Sequence, residues 1–267
     1  MSKTVGFIGG GNMAGAIMGG MIQNGFDPAN IWVSDANTGA LDGLKSRLNV
    51  NTTGDNKQVA ANSDVLFLAV KPHIYPIVIQ EIKDCVKQDV IVVVIAAGQS
   101  IDFVKQSFGR EIKVVRTMPN TPALVNEGMT AACPDTTLND QDIDLVMGIL
   151  RSFGKAEIVP ESMMDAVTAV SGSSPAYSFL YIEALADGAV AAGMPRAMAY
   201  TFAAQAVLGA AKMVLETGMH PGALKDMVCS PGGTTIEAVA ALEREGFRSA
   251  VITAMKDCVE KQQKMSK

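Results

Sequence analysis

The feature that most constrains this chain is a glycine-rich turn near its start, Gly6-Phe7-Ile8-Gly9-Gly10-Gly11-Asn12-Met13-Ala14. It follows an apolar run at residues 4–8 and opens a helix-compatible stretch at 13–23, closed by Asn24-Gly25. Gly9, Gly11 and Ala14 stand in the spacing G-x-G-x-x-A. The first glycine permits a tight turn, the second lets the backbone approach a pyrophosphate, and the small third residue lets the helix pack close to its strand. The helix start then offers N–H groups to phosphate oxygens. Strand, turn and helix in this order predict a dinucleotide site. A secretory leader is the poorer reading, because seven glycines between Val5 and Ile22 interrupt any apolar core segment.

Short apolar runs continue at residues 31–33, 65–70, 90–95 and 113–118, with weaker ones at 129–133 and 156–159. Several are unbroken and rich in Val and Ile, as strands buried on both faces require. Helical stretches at 39–48 and at 77–86, after Pro76, lie between them. Strands alternating with helices predict right-handed crossovers and a parallel, doubly wound, Rossmann-type α/β sheet over residues 1–160.

After Pro160 the character changes. Residues 166–211 hold three charged side chains (Glu183, Asp187, Arg196) and 15 alanines, with no β-branched run. Gly193-Met194-Pro195 divides the stretch into two helices. Helices apolar all round must be buried on all sides, and the 107 residues after Pro160 are too few to wrap both. A membrane hairpin is disfavoured by Glu183 and Asp187 near the middle of the first helix. Burial in a subunit interface fits better, so residues 161–267 read as an all-α oligomerisation domain.

Charge and cysteine usage narrow the function. Net charge is −5, from 22 Lys+Arg against 27 Asp+Glu, with no basic block. A protein living on phosphate contacts to nucleic acid needs the opposite balance. Cys85, Cys133, Cys229 and Cys258 are scattered without a CxxC, and His73 and His220 lie far apart. No metal site is expected. Unpaired, scattered cysteines suit a reduced, cytoplasmic setting.

Several loops carry candidate chemistry. Asp35 follows the second apolar run, 24 residues after Gly11, where an acidic side chain bonds ribose hydroxyls and disfavours a 2′-phosphate. Ser34, Asn37 and Thr38 are neutral donors that suit a phosphate, so the residues leave NAD against NADP open. Ala69-Val70-Lys71-Pro72 and Ala96-Ala97-Gly98 sit where strands end, the ligand-binding edge of such sheets. Met118-Pro119-Asn120-Thr121-Pro122, Ser171-Gly172-Ser173-Ser174-Pro175-Ala176 and Ser230-Pro231-Gly232-Gly233-Thr234-Thr235 complete the set. The last two place hydroxyls and N–H groups before helical runs, which suits a carboxylate; helix capping is the alternative.

Taken in order, these motifs resemble pyrroline-5-carboxylate reductase. The stretches 6–14, 62–72, 118–122 and 171–177 run as in that family, and the strongest signature is 226–236, followed by Gly246-Phe247-Arg248. The match spans essentially the whole chain. It implies reduction of 1-pyrroline-5-carboxylate to L-proline, the last step of proline biosynthesis, with NADPH (NADP) or alternatively NADH (NAD). It also implies a homodimer interleaved through the C-terminal helices and often assembled into a ring of dimers, a decamer, with no nucleic-acid or membrane partner. Carried over by position, the resemblance gives Gly9, Gly10, Gly11, Asn12, Met13 and Ala14 to the pyrophosphate, Ser34 to the adenosine ribose or its phosphate, beside Asp35, and Asn56 to the cofactor. Ala69, Val70, Lys71, Pro72, Ala97 and Gly98 become further cofactor contacts. Ser230, Gly232, Gly233, Thr234 and Thr235 become the substrate cradle, with Glu161 nearby. Two positions depart from the family pattern: Ser174 replaces a usual glycine and Met227 a common asparagine.

The chemistry asks little of acids and bases, since the cofactor supplies the reactivity and the protein orients two bound molecules. Thr235 is the expected catalytic residue, positioning the ring nitrogen and steadying its charge. A 3-hydroxyacid dehydrogenase of the same plan is the enzyme rival. It needs a lysine after the serine–glycine loop to handle a hydroxyl proton, and none occurs from Gly172 to Ala211. A non-catalytic dinucleotide sensor is the rival of another class, but it has no use for the intact substrate loops.

Overall fold

The computed structural model describes residues 3–265. They form two compact units: residues up to Ser173 together with those from Cys258, and Ser174–Asp257 between them.

The first unit is one eight-stranded sheet. Its strands are β1 (Val5–Ile8), β2 (Ile31–Ser34), β3 (Asn51–Thr53), β4 (Val65–Leu68), β5 (Ile91–Val94), β6 (Lys113–Met118), β7 (Gly128–Pro134) and β8 (Gly154–Ile158). They lie in the order β3-β2-β1-β4-β5-β6-β7-β8. Helices α1 (Asn12–Gln23), α2 (Thr38–Leu48) and α6 (Asp140–Arg151) cover one face, and α3 (Asn56–Asn62), α4 (Tyr75–Ile82) and α5 (Ile101–Phe108) the other. Alternation along the strands explains the two cores. Val5, Phe7, Val65 and Phe67 face α1 and α6, where they meet Ile17, Met18 and Leu150. Ile8, Leu66, Leu68 and Val92 face the other way, onto Val59, Ile79 and Val104. Phe7 and Phe67 stack with ring centroids 4.8 Å apart.

The structure departs from the sequence reading in the pairing of one strand. The sheet is not wholly parallel, because β7 runs antiparallel to β6. The connection over residues 119–127 is too short for a crossover, which takes a dozen residues or more, so the chain returns alongside. The compact units divide after Ser173, thirteen residues beyond the change of character at Pro160. Residues 161–173 pack with the sheet: Met164 is buried in its second core, and Asn120 donates to the Ser171 carbonyl. The end of the last helix packs there too, with Cys258 Sγ donating to Ser173 Oγ at 3.3 Å. β3, α3, α5 and α6 were not separately expected. β3 is three polar residues and α3 two turns, too short for periodicity to show.

After a short helix α7 (Met164–Val167) and a π-helical turn Thr168–Ser173 come α8 (Ser174–Ala191), α9 (Arg196–Thr217), α10 (Pro221–Val228), α11 (Thr234–Arg244) and α12 (Phe247–Met265). The break between α8 and α9 lies at Gly193, whose φ of +96° suits a residue without a Cβ. The two helices meet through Ala186, Ala199 and Ala203, and Arg196 pairs with Asp187. Their other faces carry unburied large residues: Phe179 is 63% exposed, Leu180 67% and Phe202 62%. α9 is long and apolar enough to cross a membrane by length and composition.

Candidate active site

The order of strands reverses at β1, with β2 on one side and β4 on the other. A doubly wound sheet opens a crevice outside the carboxyl ends of such strands. Here the crevice is a cleft of 670 Å³, bordered by the glycine turn, the ends of β4 and β5, and Pro119. Gly9 takes φ +102°, and a Cβ there would lie 2.5 Å from the Ala69 carbonyl oxygen. Only glycine lets the turn pass so close to the end of β4. Gly11 is the N-cap of α1 without any side-chain capping bond, and a Cβ built on it meets nothing within 4 Å. Bare N–H groups facing open space at a helix start fit a pyrophosphate.

Eleven of the fifteen residues expected at the cofactor border this cleft: Gly9, Gly11, Asn12, Met13, Ala14, Asp35, Ala69, Val70, Lys71, Pro72 and Ala97. Met13 borders the cleft and also packs against the core. Lys71 is exposed and is the cation among the described lining residues. Gly98 lies just beyond Ala97 with φ +79°, turning the chain towards α5. Below the cleft, Tyr75 is fully buried and donates to the Leu68 carbonyl. Burial pushes its phenol well up, which keeps it a neutral donor bracing the end of β4.

The other expected cofactor residues do not border the cleft. Ser34 is fully buried and does not border the cleft; its hydroxyl donates to Asn56 Oδ1 at 2.7 Å. Asn56 Nδ2 in turn donates to Glu81 Oε2 at 2.8 Å. Gly10 donates its N–H to Asp35 Oδ2 at 2.7 Å, and Asn37 N–H reaches Asp35 Oδ1 at 2.8 Å. Asp35 therefore braces the glycine turn as well as bordering the cleft.

Glu161, expected beside the substrate, is engaged within the first unit. Its Oε1 accepts from Arg116 Nη1 at 2.9 Å and from the Ile101 N–H, at the start of α5, at 3.0 Å. Arg116 is buried on β6. This carboxylate neutralises an interior guanidinium and holds a helix start, a structural role that the residue has in the chain itself.

The expected substrate loop lies in the second unit. Gly232 has φ +67°, and Gly233 N–H donates to the Ser230 carbonyl at 3.0 Å, closing a tight turn. A Cβ on Gly233 would lie 2.4 Å from Ser230 Oγ. Gly233 is the N-cap of α11, and no side chain caps that helix. Thr234 and Thr235 thus occupy its first turn, beside N–H groups suited to a carboxylate. No group of three or more His, Cys, Asp or Glu among the described residues is placed to hold a metal.

Comparison with known proteins adds to this geometry. Residues 161–265 match the family model for pyrroline-5-carboxylate reductase dimerisation, and residues 4–98 that for coenzyme F420-dependent NADP oxidoreductase. The chain is 53% identical over 268 residues to the pyrroline-5-carboxylate reductase of Escherichia coli (strain K12), covering 100% of both. Among solved structures it resembles a pyrroline-5-carboxylate reductase from Coxiella burnetii, with TM-score 0.93, 38% identity and 100% of each chain covered. It also resembles pyrroline carboxylate reductase from Plasmodium falciparum with NADP bound, with TM-score 0.90, 31% identity and 99% and 98% of the two chains covered.

Proposed function

The chain belongs to the pyrroline-5-carboxylate reductase family, and from that premise we propose that it reduces 1-pyrroline-5-carboxylate to L-proline, completing proline biosynthesis, with NADPH or NADH. The observation that carries the reading is full-length identity of 53% to a reductase of that name. The cleft at the β1/β4 reversal supports it from geometry.

Bound in the cleft, the nicotinamide supplies a hydride for the imine carbon. The chain's part is binding and orientation. The turn Gly9-Gly10-Gly11 and the start of α1, through Asn12, Met13 and Ala14, receive the pyrophosphate. Asp35 and Asn56 meet the adenosine ribose, with Ser34 holding Asn56 in place. Ala69, Val70, Lys71, Pro72, Ala97 and Gly98 border the nicotinamide half. Ser230, Gly232, Gly233 and Thr234 hold the substrate carboxylate through the start of α11. The Thr235 hydroxyl meets the ring nitrogen, positioning it and steadying its charge, and the proton that the nitrogen gains in becoming an amine is drawn from solvent.

The helical region is a dimerisation domain, so the working molecule is an oligomer. We infer a cytoplasmic homodimer built through the exposed faces of α8 and α9, assembled further into a ring of five dimers. The exposed Phe179, Leu180 and Phe202 support this reading, because unpaired apolar faces of that size seek cover. Sedimentation of the 28.0 kDa chain tests it, a stable folded monomer at micromolar concentration overturning it. Oxidation of NADPH dependent on pyrroline-5-carboxylate tests the activity, and its absence in folded protein overturns the reductase reading.

A further inference from the structure

We propose that Asn120 is a positioning residue for this reduction, acting by fastening the π-helical turn Thr168–Ser173 to the carboxyl end of β6. The inference rests on the reductase reading and gives a role to two motifs, Met118-Pro119-Asn120 and Ser171-Gly172-Ser173, that the chemistry above leaves unused.

Asn120 sits at the N-cap of a short 3-10 helix, Thr121–Val125, where an asparagine normally bonds the helix's own first amides. It makes no such bond. Its buried amide spans two distant segments instead. Oδ1 accepts from Met129 N–H at 2.8 Å at the start of β7, and Nδ2 donates to the Ser171 carbonyl at 3.1 Å. Only a side chain with an acceptor and a donor on one rigid plane serves both. Capping is therefore not what the residue does.

The segment it holds is unusual. π-helical turns are rare, appear mostly as single turns and are frequent at functional sites. This one lies against the same strand end at a second point, since a Cβ on Gly172 would come within 2.5 Å of Met118 Cε. The Ser171 hydroxyl is buried and has no hydrogen-bond partner among the described residues, a costly state for a group with no ligand to meet. The strand end is itself tied to the cleft. Thr117 Oγ1 donates to the Val94 carbonyl at 2.8 Å, joining β6 to β5, and the residues following β5, Ile95 and Ala96, border the cleft together with Pro119. A chain of contacts thus runs from the nicotinamide half of the cleft through Thr117, Met118 and Asn120 to Ser171. Loosening the link at Asn120 lets the serine–glycine turn drift relative to the hydride donor.

The test is Asn120→Asp in the full chain. The introduced carboxylate keeps the acceptor for Met129 and loses the donor to Ser171. Near neutral pH, kcat/KM for pyrroline-5-carboxylate should fall by on the order of 10- to 100-fold, the scale of a small misplacement of reacting groups. NADPH affinity, read by fluorescence titration, should stay at the wild-type value. Hydrogen exchange over residues 168–173 should quicken, a readout independent of turnover. Lowering the pH protonates the introduced carboxyl and restores a donor, so kcat/KM should climb back towards wild type. Should that variant fail to fold, Asn120→Ser, too short for either partner, is expected to show the same split between substrate and NADPH. Wild-type kinetics and exchange in a folded variant overturn the proposal, as does a loss shared equally by NADPH binding that acid does not reverse. Wild-type protein inactive on pyrroline-5-carboxylate fails the reductase reading instead, and the exchange experiment still judges Asn120.

Discussion

The carboxylate of Asp35 accepts the N–H of Gly10 at 2.7 Å, so the acidic residue just after β2 is bonded to the glycine turn that follows β1. The bond joins two neighbouring strand ends and holds the turn in the shape that leaves Gly11 open. It also leaves a negative charge at the edge of the cleft, where an adenosine ribose or its 2′-phosphate is expected.

Replacing Asp35 by Asn removes the charge and keeps an acceptor for one backbone amide. The ratio of kcat/KM for NADPH to that for NADH should rise by about fivefold, the equivalent of ~1 kcal/mol for one solvent-screened charge near a phosphate. Asp35→Ala should weaken both cofactors, because the turn then loses its brace. Steady-state kinetics with each cofactor decide the matter, and an unmoved ratio puts Asp35 away from the ribose.

Glu161 offers a direct contest between two roles. Its contacts with Arg116 and with the Ile101 N–H predict that Glu161→Ala destabilises the protein by about 2 kcal/mol, less than the 3–5 kcal/mol of a fully buried pair because the carboxylate is partly exposed. Glu161→Gln keeps an acceptor and should cost less. A substrate-binding role predicts a raised KM with an unchanged melting temperature. Melting curves and kinetics on both variants separate the two.

Acid should weaken the first unit through Asp135. Burial pushes that carboxyl up, but hydrogen bonds from Lys105 and Thr137 outweigh it and hold it below the usual carboxylate range. The unfolded chain then binds the proton more readily than the folded one, so stability rises with pH across this titration. The contribution is complete above the ordinary Asp value of roughly 3.9 and is lost as pH falls through the lower folded value. Denaturant melts from roughly pH 5 to 3 should show stability falling, with a shallower slope in Asp135→Asn. An identical slope in that variant assigns the acid sensitivity elsewhere.

Thr235 lies in the first turn of α11, whose cap is Gly233 and not a hydroxyl. Thr235→Val keeps the shape and removes only the side-chain hydrogen bond. Loss of one positioned donor in a strong case costs about 2.7–4 kcal/mol, so kcat/KM should drop on the order of 10²-fold. NADPH affinity should hold. A capping role predicts the reverse, with stability lower by about 1 kcal/mol and near-normal turnover. Unchanged kcat/KM would sink the catalytic role.

Much of the molecule is legible in the chain alone, for a local reason. The φ of +102° at Gly9, the closeness of β1 to β4 and the bare start of α1 follow from three small residues in fixed spacing. Buried strands announce themselves as Val- and Ile-rich runs, and the nearly uncharged α8 and α9 announce a partner, because both signals repeat within a few residues. What tertiary structure alone decided is which side chains separated in sequence meet. Asp35 turns back to Gly10, Glu161 goes to Arg116, and Asn120 spans Met129 and Ser171. The antiparallel return of β7 belongs with them, since pairing depends on what the sheet edge leaves open. A carboxylate or amide has the same local pattern whether it caps, braces or binds a ligand. Its role is set by the hydrogen-bond donors and acceptors that packing brings within about 3 Å of it, and those lie from nine to 51 residues away along the chain.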